Sequence, residues 1–358
     1  MGIKGLTTLI KTSAPSAIQT QNLHHLTGKK VAIDASLFMY KMLINMRNAN
    51  QSYLTSNNGK VVSHITGIFY KTANYLALNI TPIYVFDGKP PSNKGDTIKA
   101  RQERVATSKL AMEQATSEED KNNLEKQTIR LTKEHVDDIK QLLELMGVSY
   151  VQAHGEAEAY ASEMCRKGMV DYVVTEDMDT LAFGCPRMIR TCLDKSIKRK
   201  DIISIIDLDV VLQGFELTYD EFVDLCILCG CDYCPSIPKV GTVRSYNYIQ
   251  NYRNIEALIE SKKCNNIPEE FIQKYDNSRK LFEVFKDKID LEDLPMHTSS
   301  CNFDKLNDYL INENQKLKFI KKLPQSGISI KMNKTKKFIK ILFQSCFKLT
   351  NFINPQNR

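Results

Sequence analysis

The chain has 358 residues, 42% of them hydrophobic and 25% charged; this is ample for a large α/β domain or two smaller ones and excludes a disordered, collagen-like or fibrous chain. Its longest apolar run, Leu225–Cys231, is seven residues, against the ~18 of a membrane-spanning helix, and Met1–Ile10 lacks the apolar core and small-residue cleavage site of a secretory leader, so no membrane partner is expected. The net charge of +7 is unevenly spread: residues 314–358 carry ten lysines, one arginine and no acid, which leaves −4 for the rest, a pattern that suggests an acidic partner for the tail and a carboxylate cluster in the body.

Met1-Gly2 opens like a myristoylation signal, but Leu6 stands where that motif needs serine or threonine. Three short β-branched and aromatic runs then stop at acids: Val31–Ile33 at Asp34, Ile83–Phe86 at Asp87, and Tyr172–Thr175 at Glu176-Asp177. Such runs read as buried strands of a parallel sheet. Between Gly88 and Lys133 ten lysines and arginines alternate with few large apolar residues, so exposed helices projecting from the sheet are expected there. Val136, Ile139, Leu143 and Met146 repeat at helical spacing up to Gly147, and Ala157–Lys167 forms a second helix ending at Gly168. Strands alternating with helices give an α/β fold with a mostly parallel sheet, whose ligands bind beyond the carboxyl ends of the strands. Three strands delivering aspartates to that edge predict one acidic pocket.

Ten cysteines without a leader point to a reducing compartment. Cys226, Cys229, Cys231 and Cys234 have the spacing of a metal-ligand set, yet Phe222–Leu228 reads as a buried helix, which would point those thiols in different directions. A helix-rich region continues to about Phe285, followed by an asparagine- and lysine-rich segment.

The acids also recur in pairs: Glu156 and Glu158 open a helix, Asp177 and Asp179 leave a strand, and Asp232 follows Gly230. Converging carboxylates repel one another unless a metal neutralises them. Oxygen ligands select Mg2+ or Mn2+ rather than zinc, and a two-ion carboxylate site is the apparatus of phosphodiester hydrolysis.

Taken together, Met1–Leu6, Val31–Ser36, Tyr84–Pro91, Gly155–Ala159, Thr175–Asp179 and Phe222–Cys234 resemble the eukaryotic flap endonucleases of the structure-specific 5′ nuclease superfamily, over Met1 to about Tyr252, about 70% of the chain. The resemblance implies a PIN-like nuclease fold: a mostly parallel central sheet flanked by helices, a helical arch and a helix–two-turn–helix DNA-binding hairpin. It divides the chain into residues 1–106 and 134–255 for the nuclease domain, 107–133 for the arch, 256–313 for a C-terminal helical region and 314–358 for a basic tail. It implies that Asp34, Asp87, Glu156, Glu158, Asp177, Asp179 and Asp232 bind two Mg2+ ions, with Mn2+ able to substitute, and that Lys94 and Arg101 act with Asp179 in catalysis by reaching the scissile phosphate. Tyr40 would stack on the terminal base. Arg47, Lys71, Glu156, Gly230 and Asp232 would contact DNA, as would Lys239, Gly241 and Arg244 in the hairpin, where the family holds a monovalent cation. From the residues alone, Lys94 and Arg101 also read as solvated helix charges, and Tyr40 as a packed tyrosine beside Leu37, Leu43 and Ile44.

The implied activity is a Mg2+-dependent 5′ flap endonuclease with 5′-3′ exonuclease activity on flapped or branched duplex DNA. It would serve Okazaki-fragment maturation and long-patch base-excision repair, as a nuclear monomer in nucleoplasm and nucleolus with a mitochondrial pool. Leu181–Cys185 and Gly230–Tyr233 lean instead towards the 5′-3′ exonuclease of mismatch repair, and a catalytically silent junction or clamp adaptor is a third reading. Three departures stand out. Lys239 replaces the first glycine of the hairpin turn, which must then form without glycine's freedom. Val61 and Val62 replace two threonines of the pocket for a one-nucleotide 3′ flap, and Cys229 and Cys231 replace leucine and serine. In the tail, 336–343 is the best frame for a sliding-clamp (PCNA) peptide, with Ile339 as plug and Phe343 as aromatic but no glutamine; a basic tail on DNA phosphates is the other reading.

Overall fold

The computed structural model describes residues 2–46, 53–56, 59–91, 94–199, 201–288 and 296–313; Arg47 and the tail segment with Ile339 and Phe343 lie outside them. Among the described residues eight strands form one sheet: β1 (Ile18–Asn22), β2 (Lys30–Asp34), β3 (Thr81–Phe86), β4 (Tyr150–Gln152), β5 (Tyr172–Val174), β6 (Arg187–Thr191), β7 (Ile202–Asp207) and β8 (Met296–His297). Their order is β1-β7-β6-β5-β2-β3-β4-β8. The central run from β6 to β4 is parallel, and β1, β7 and β8 add antiparallel edges. The expected mostly parallel sheet is therefore present, and the three strands read from sequence are its centre.

The helices among the described residues are α1 (Leu6–Ser13), α2 (Ala35–Asn45), α3 (Ser63–Ala77), α4 (Gly95–Gln114), α5 (Glu118–Thr128), α6 (Lys133–Met146), α7 (Ala157–Arg166), α8 (Asp179–Ala182), α9 (Leu208–Phe215), α10 (Tyr219–Cys229), α11 (Thr242–Tyr252), α12 (Ile255–Glu260), α13 (Glu269–Lys288) and α14 (Phe303–Glu313). Period-two alternation splits the strand side chains between two cores. Val31, Ile33, Tyr84, Phe86, Tyr172 and Val174 pack with Met39, Ile65, Ile68, Ile139 and Leu143 of α2, α3 and α6. Ala32, Val85 and Val173 pack on the opposite face with Ala157, Ala161, Leu181 and Leu225 of α7, α8 and α10. Both faces are buried, which is why the central strands read as continuous apolar runs.

Local signals set several helix ends. Thr132 and His135 form a reciprocal cap that starts α6 one turn before its first apolar residue, and Gly147 ends it at φ 68°. Thr218 and Glu221 do the same for α10. That helix carries Cys226 and Cys229 into the core. Burial pushes the Cys229 thiol up to about 12, so it stays protonated, and among the described residues the four thiols form no metal-ligand group. The projecting pair α4 and α5 buries almost nothing of its own, Ser108 excepted. Its first helix begins at Gly95 and runs unbroken across the 106/107 division expected from sequence.

Candidate active site

Because β2, β3 and β5 are parallel neighbours, their carboxyl ends share one edge. The chain builds outward from β2 through β3 and β4, then resumes on the other side of β2 with β5, and the crevice at such a reversal is where ligands bind. Asp34 closes β2 and caps α2, accepting the Leu37 N–H at 3.0 Å. The Thr175 hydroxyl, just past β5, donates to Asp34 Oδ2 at 3.3 Å and accepts the Asp177 N–H at 3.1 Å, tying the two strand ends together.

Asp87 is drawn to α7 by a close backbone approach at Gly88. The Gly88 N–H donates to the Gly155 carbonyl at 2.7 Å, and a Cβ at Gly88 would lie 2.3 Å from the Ala153 carbonyl oxygen. Asp87 Oδ1 then accepts the Ala157 N–H at 2.9 Å, at the start of α7, a favourable place for an anion. Glu156 stands at the N-cap position of that helix, its side chain making no cap bond, and Glu158 lies in the first turn. Asp87, Glu156 and Glu158 offer ligand oxygens that all lie within 4.8 Å of one another.

Asp177 accepts the Asp179 N–H at 3.2 Å, and both are buried. Gly2 packs against this pair at φ 76°, where a Cβ would fall 1.9 Å from Asp177 Oδ1. The N-terminal segment is thus a wall of the site, a role not inferred from its sequence beyond the shared Met1–Leu6 motif. Asp232 arrives from the turn after α10, two residues past the Gly230 cap at φ 103°.

This crowding has the electrostatic consequence expected of it. Burial, with the charge of Asp87, pushes the Asp34 carboxyl up to about 8. Desolvation and then the charges of Asp34, Asp87, Asp177 and Glu156 hold Glu158 well above the carboxylate range. Burial and Asp177 do the same to Asp179, whose Oδ1 is buried without a hydrogen-bond partner among the described residues. Glu156 too is raised by burial, despite the adjacent Lys94. An all-carboxylate donor set with an orphaned buried oxygen fits a hard divalent cation.

Two cations reach in from the N-terminal end of α4. Lys94 Nζ lies 2.5 Å from Glu156 Oε2 and 3.7 Å from Asp232 Oδ2, and Arg101 Nη2 lies 2.5 Å from Asp232 Oδ2. Although burial opposes it, Glu156 raises the Lys94 ammonium above its ordinary value, so it stays charged. Both side chains are thus ion-paired to acids of the cluster, Lys94 largely buried and Arg101 still exposed. Tyr40 is half-buried on α2, the helix that Asp34 starts. Lys71 on α3 sits with Nζ 4.9 Å from the Tyr75 ring centroid and 5.5 Å from that of Phe38, and burial lowers its ammonium.

The hairpin joins α10 to α11. Lys239 adopts φ 65°, so the turn forms without the glycine, and its carbonyl accepts from Arg244 Nη1 at 2.8 Å. Gly241 caps α11 with extended backbone, and Arg244 is exposed. The Lys4 N–H donates to the Gly230 carbonyl at 3.2 Å and Thr242 Oγ1 donates to the Lys4 carbonyl at 2.9 Å, which docks the hairpin on the N-terminal segment.

One acid of the strand-end run does not face the cluster. Glu176 accepts from Lys41 Nζ at 2.9 Å, Arg190 Nε at 3.2 Å and the Thr191 N–H at 3.1 Å. Burial opposes ionisation there, but Thr191 and Lys41 push the carboxyl down to about 2. It anchors the loop that carries Asp177 and Asp179.

Residues 1–108 match the XPG N-terminal domain and residues 147–232 the XPG I-region. Flap endonuclease 1 of Candida glabrata is 40% identical over 334 residues, covering 92% of this chain and 86% of that protein. The solved flap endonuclease-1 of Methanococcus jannaschii superposes with a TM-score of 0.66 at 29% identity, covering 92% of this chain and 96% of that one. The catalytic core of Rad2 in complex with DNA substrate shares the fold, with a TM-score of 0.66 at 22% identity over 95% of this chain and 100% of that one. By domains, sequence and fold, the chain belongs to the flap endonuclease family.

Proposed function

We propose that this protein is a structure-specific 5′ flap endonuclease with 5′-3′ exonuclease activity, the first of the readings drawn from its sequence; its relatives' names carry the flap endonuclease part of it. The observation that supports it most is the meeting of seven acids and two cations at one sheet edge: Asp34, Asp87, Glu156, Glu158, Asp177, Asp179 and Asp232 with Lys94 and Arg101. The acids would hold two Mg2+ ions, or Mn2+ in their place. When bound, such ions supply an acidified water and neutralise charge on the phosphodiester.

The protein's own groups do the rest. Lys94 and Arg101 exchange their carboxylate partners for the non-bridging oxygens of the scissile phosphate and stabilise the charge that builds there. Water oxygen attacks phosphorus, the bond to the 3′ oxygen breaks, and the products are a 5′ phosphate and a 3′ hydroxyl. Tyr40 stacks on the terminal base. Arg47, Lys71 and the hairpin residues Gly230, Lys239, Gly241 and Arg244 hold the duplex, with a monovalent cation at the hairpin turn. Phosphate contacts of this kind position DNA without reading its sequence, which suits recognition of a branched shape.

The remaining parts of the reading follow the family: nuclease segments at 1–106 and 134–255, an arch, a C-terminal helical region and a basic tail whose Ile339 and Phe343 engage the sliding clamp. The protein acts as a monomer in nucleus, nucleolus and a mitochondrial pool. Val62 is buried and its N–H is bonded to the Leu54 carbonyl, so without the threonine hydroxyls a one-nucleotide 3′ flap stimulates cleavage about fivefold less than in a relative that has them, measured side by side. The decisive assay compares a double-flap substrate, a nicked duplex and a single strand with and without Mg2+. Cleavage at the flap base only with the metal supports the reading, and equal rates on the single strand overturn it.

A further inference from the structure

Beyond residue 232, where the match to the XPG I-region ends, helix α13 reaches both the start of the arch formed by α4 and α5 and the loop that carries Asp232. Lys274 and Ser278, four residues apart, share one face of α13. Lys274 Nζ lies 2.6 Å from Asp96 Oδ2 in the first turn of α4, and 2.5 Å from Glu270 Oε1 on its own helix. Ser278 Oγ donates to the Tyr233 carbonyl at 3.0 Å, and the Tyr233 ring packs 5.5 Å from that of Phe282, one turn further along α13. The first turn of α4 returns the contact, because Thr97 Oγ1 donates to the Asp232 carbonyl at 2.7 Å. Lys94, immediately before α4, lies 5.7 Å from the Tyr233 ring centroid. Arch, Asp232 loop and α13 thus close a ring of contacts in which, among the described residues, Asp96–Lys274 is the link made by charge between arch and α13.

We propose that Lys274 is a positioning residue for the arch: its pair with Asp96 seats the first turn of α4 on Asp232-Tyr233 and so keeps Lys94 and Arg101 over the carboxylates. This rests on the assignment of Lys94 and Arg101 to the scissile phosphate. Asp96 is 69% exposed and Lys274 34%, so the pair is screened by salt and its effect is modest. It bears on where two cations stand rather than on whether the domain folds, and a small misplacement of such groups slows the chemical step.

The test is single-turnover cleavage of a double-flap substrate at low salt by full-length wild type, Lys274→Gln, Lys274→Arg, Asp96→Asn, the Lys274→Gln/Asp96→Asn double variant and the Asp96→Lys/Lys274→Asp exchange. Lys274→Gln and Asp96→Asn each slow cleavage about threefold to fivefold with substrate affinity unchanged, and their combination is no slower than either alone. Lys274→Arg recovers the rate, the exchange recovers it in part because it sets a carboxylate against Glu270, and high salt erases the differences. Wild-type rates in both single variants, losses that multiply in the double variant, or a change confined to affinity would each overturn the proposal. A second readout needs no cleavage activity: trypsin cuts the arch of Lys274→Gln and Asp96→Asn faster than that of wild type, and equal digestion overturns the latch. A wild-type protein that leaves flaps uncut would defeat the functional reading while this digestion still judges the contact.

Discussion

At the carboxyl edge of the sheet, acids outnumber the cations that face them, and Asp34, Glu156, Asp177 and Asp179 are buried; along the α10–α11 hairpin, Lys239 and Arg244 stand in solvent. Charge at the edge is held against repulsion, so Asp34, Glu158 and Asp179 are pushed upward and their removal alters chemistry. Charge on the hairpin is hydrated and screened, so each side chain there contributes a small, salt-dependent share of affinity. The same residue types thus act at very different strengths according to the water around them.

The sharpest way to break this contrast is Asp179→Ala. It should lower flap cleavage by at least about 10³-fold while leaving flap binding nearly intact, because the carboxylate acts on the transition state; a rate above a tenth of wild type would remove it from the site. Lys94→Ala and Arg101→Ala come next, each slowing single-turnover cleavage on the order of 10²-fold. Wild-type kinetics in either would return that side chain to the solvated surface.

A pH series examines the edge without substrate. Asp34 is raised from 3.8 to about 8, so the folded protein retains a proton that the unfolded chain has released. The unfolded state binds fewer protons, and the stability of the metal-free protein therefore falls as pH rises from about 4 to about 8. Thermal denaturation in chelator should show a Tm lower at pH 8 than at pH 5, and added Mg2+ should restore more at pH 8. A Tm that climbs over that interval would mean that the acids are balanced by cations. The smallest effects belong to the hairpin: Lys239→Ala or Arg244→Ala should weaken flap binding a few-fold and reduce the slope of log affinity against log salt by about 1, with the chemical step unchanged.

Much of the edge was legible because a strand's period and its terminal acid are local facts. Val31–Asp34, Ile83–Asp87 and Tyr172–Asp177 each carried both. Strands β1, β4, β6, β7 and β8 were not read. Ile18–Asn22 is largely polar and Arg187–Thr191 carries two arginines, while Met296–His297 is a strand only because β4 lies beside it. The hairpin turn was read as lacking its glycine, and Lys239 takes the left-handed backbone all the same, in a turn closed by the Val240 N–H on the Ile237 carbonyl and by Arg244 on the Lys239 carbonyl.

Sequence by itself determined the alternation that buries both faces of the central sheet, the helix caps at Thr132 and Thr218, and the set of acids, since each depends on residues within a few positions of one another. Tertiary structure decided which charges meet. It turned Glu176 away from Asp177 into the cage of Lys41 and Arg190, laid Gly2 against Asp177, and brought Lys94 and Arg101 down onto Glu156 and Asp232. Thr175 and Asp34 are 141 residues apart, and Arg101 and Asp232 are 131 apart. Parallel strands must be joined by long crossovers, so the neighbours that set a side chain's ionisation are fixed only when the sheet closes.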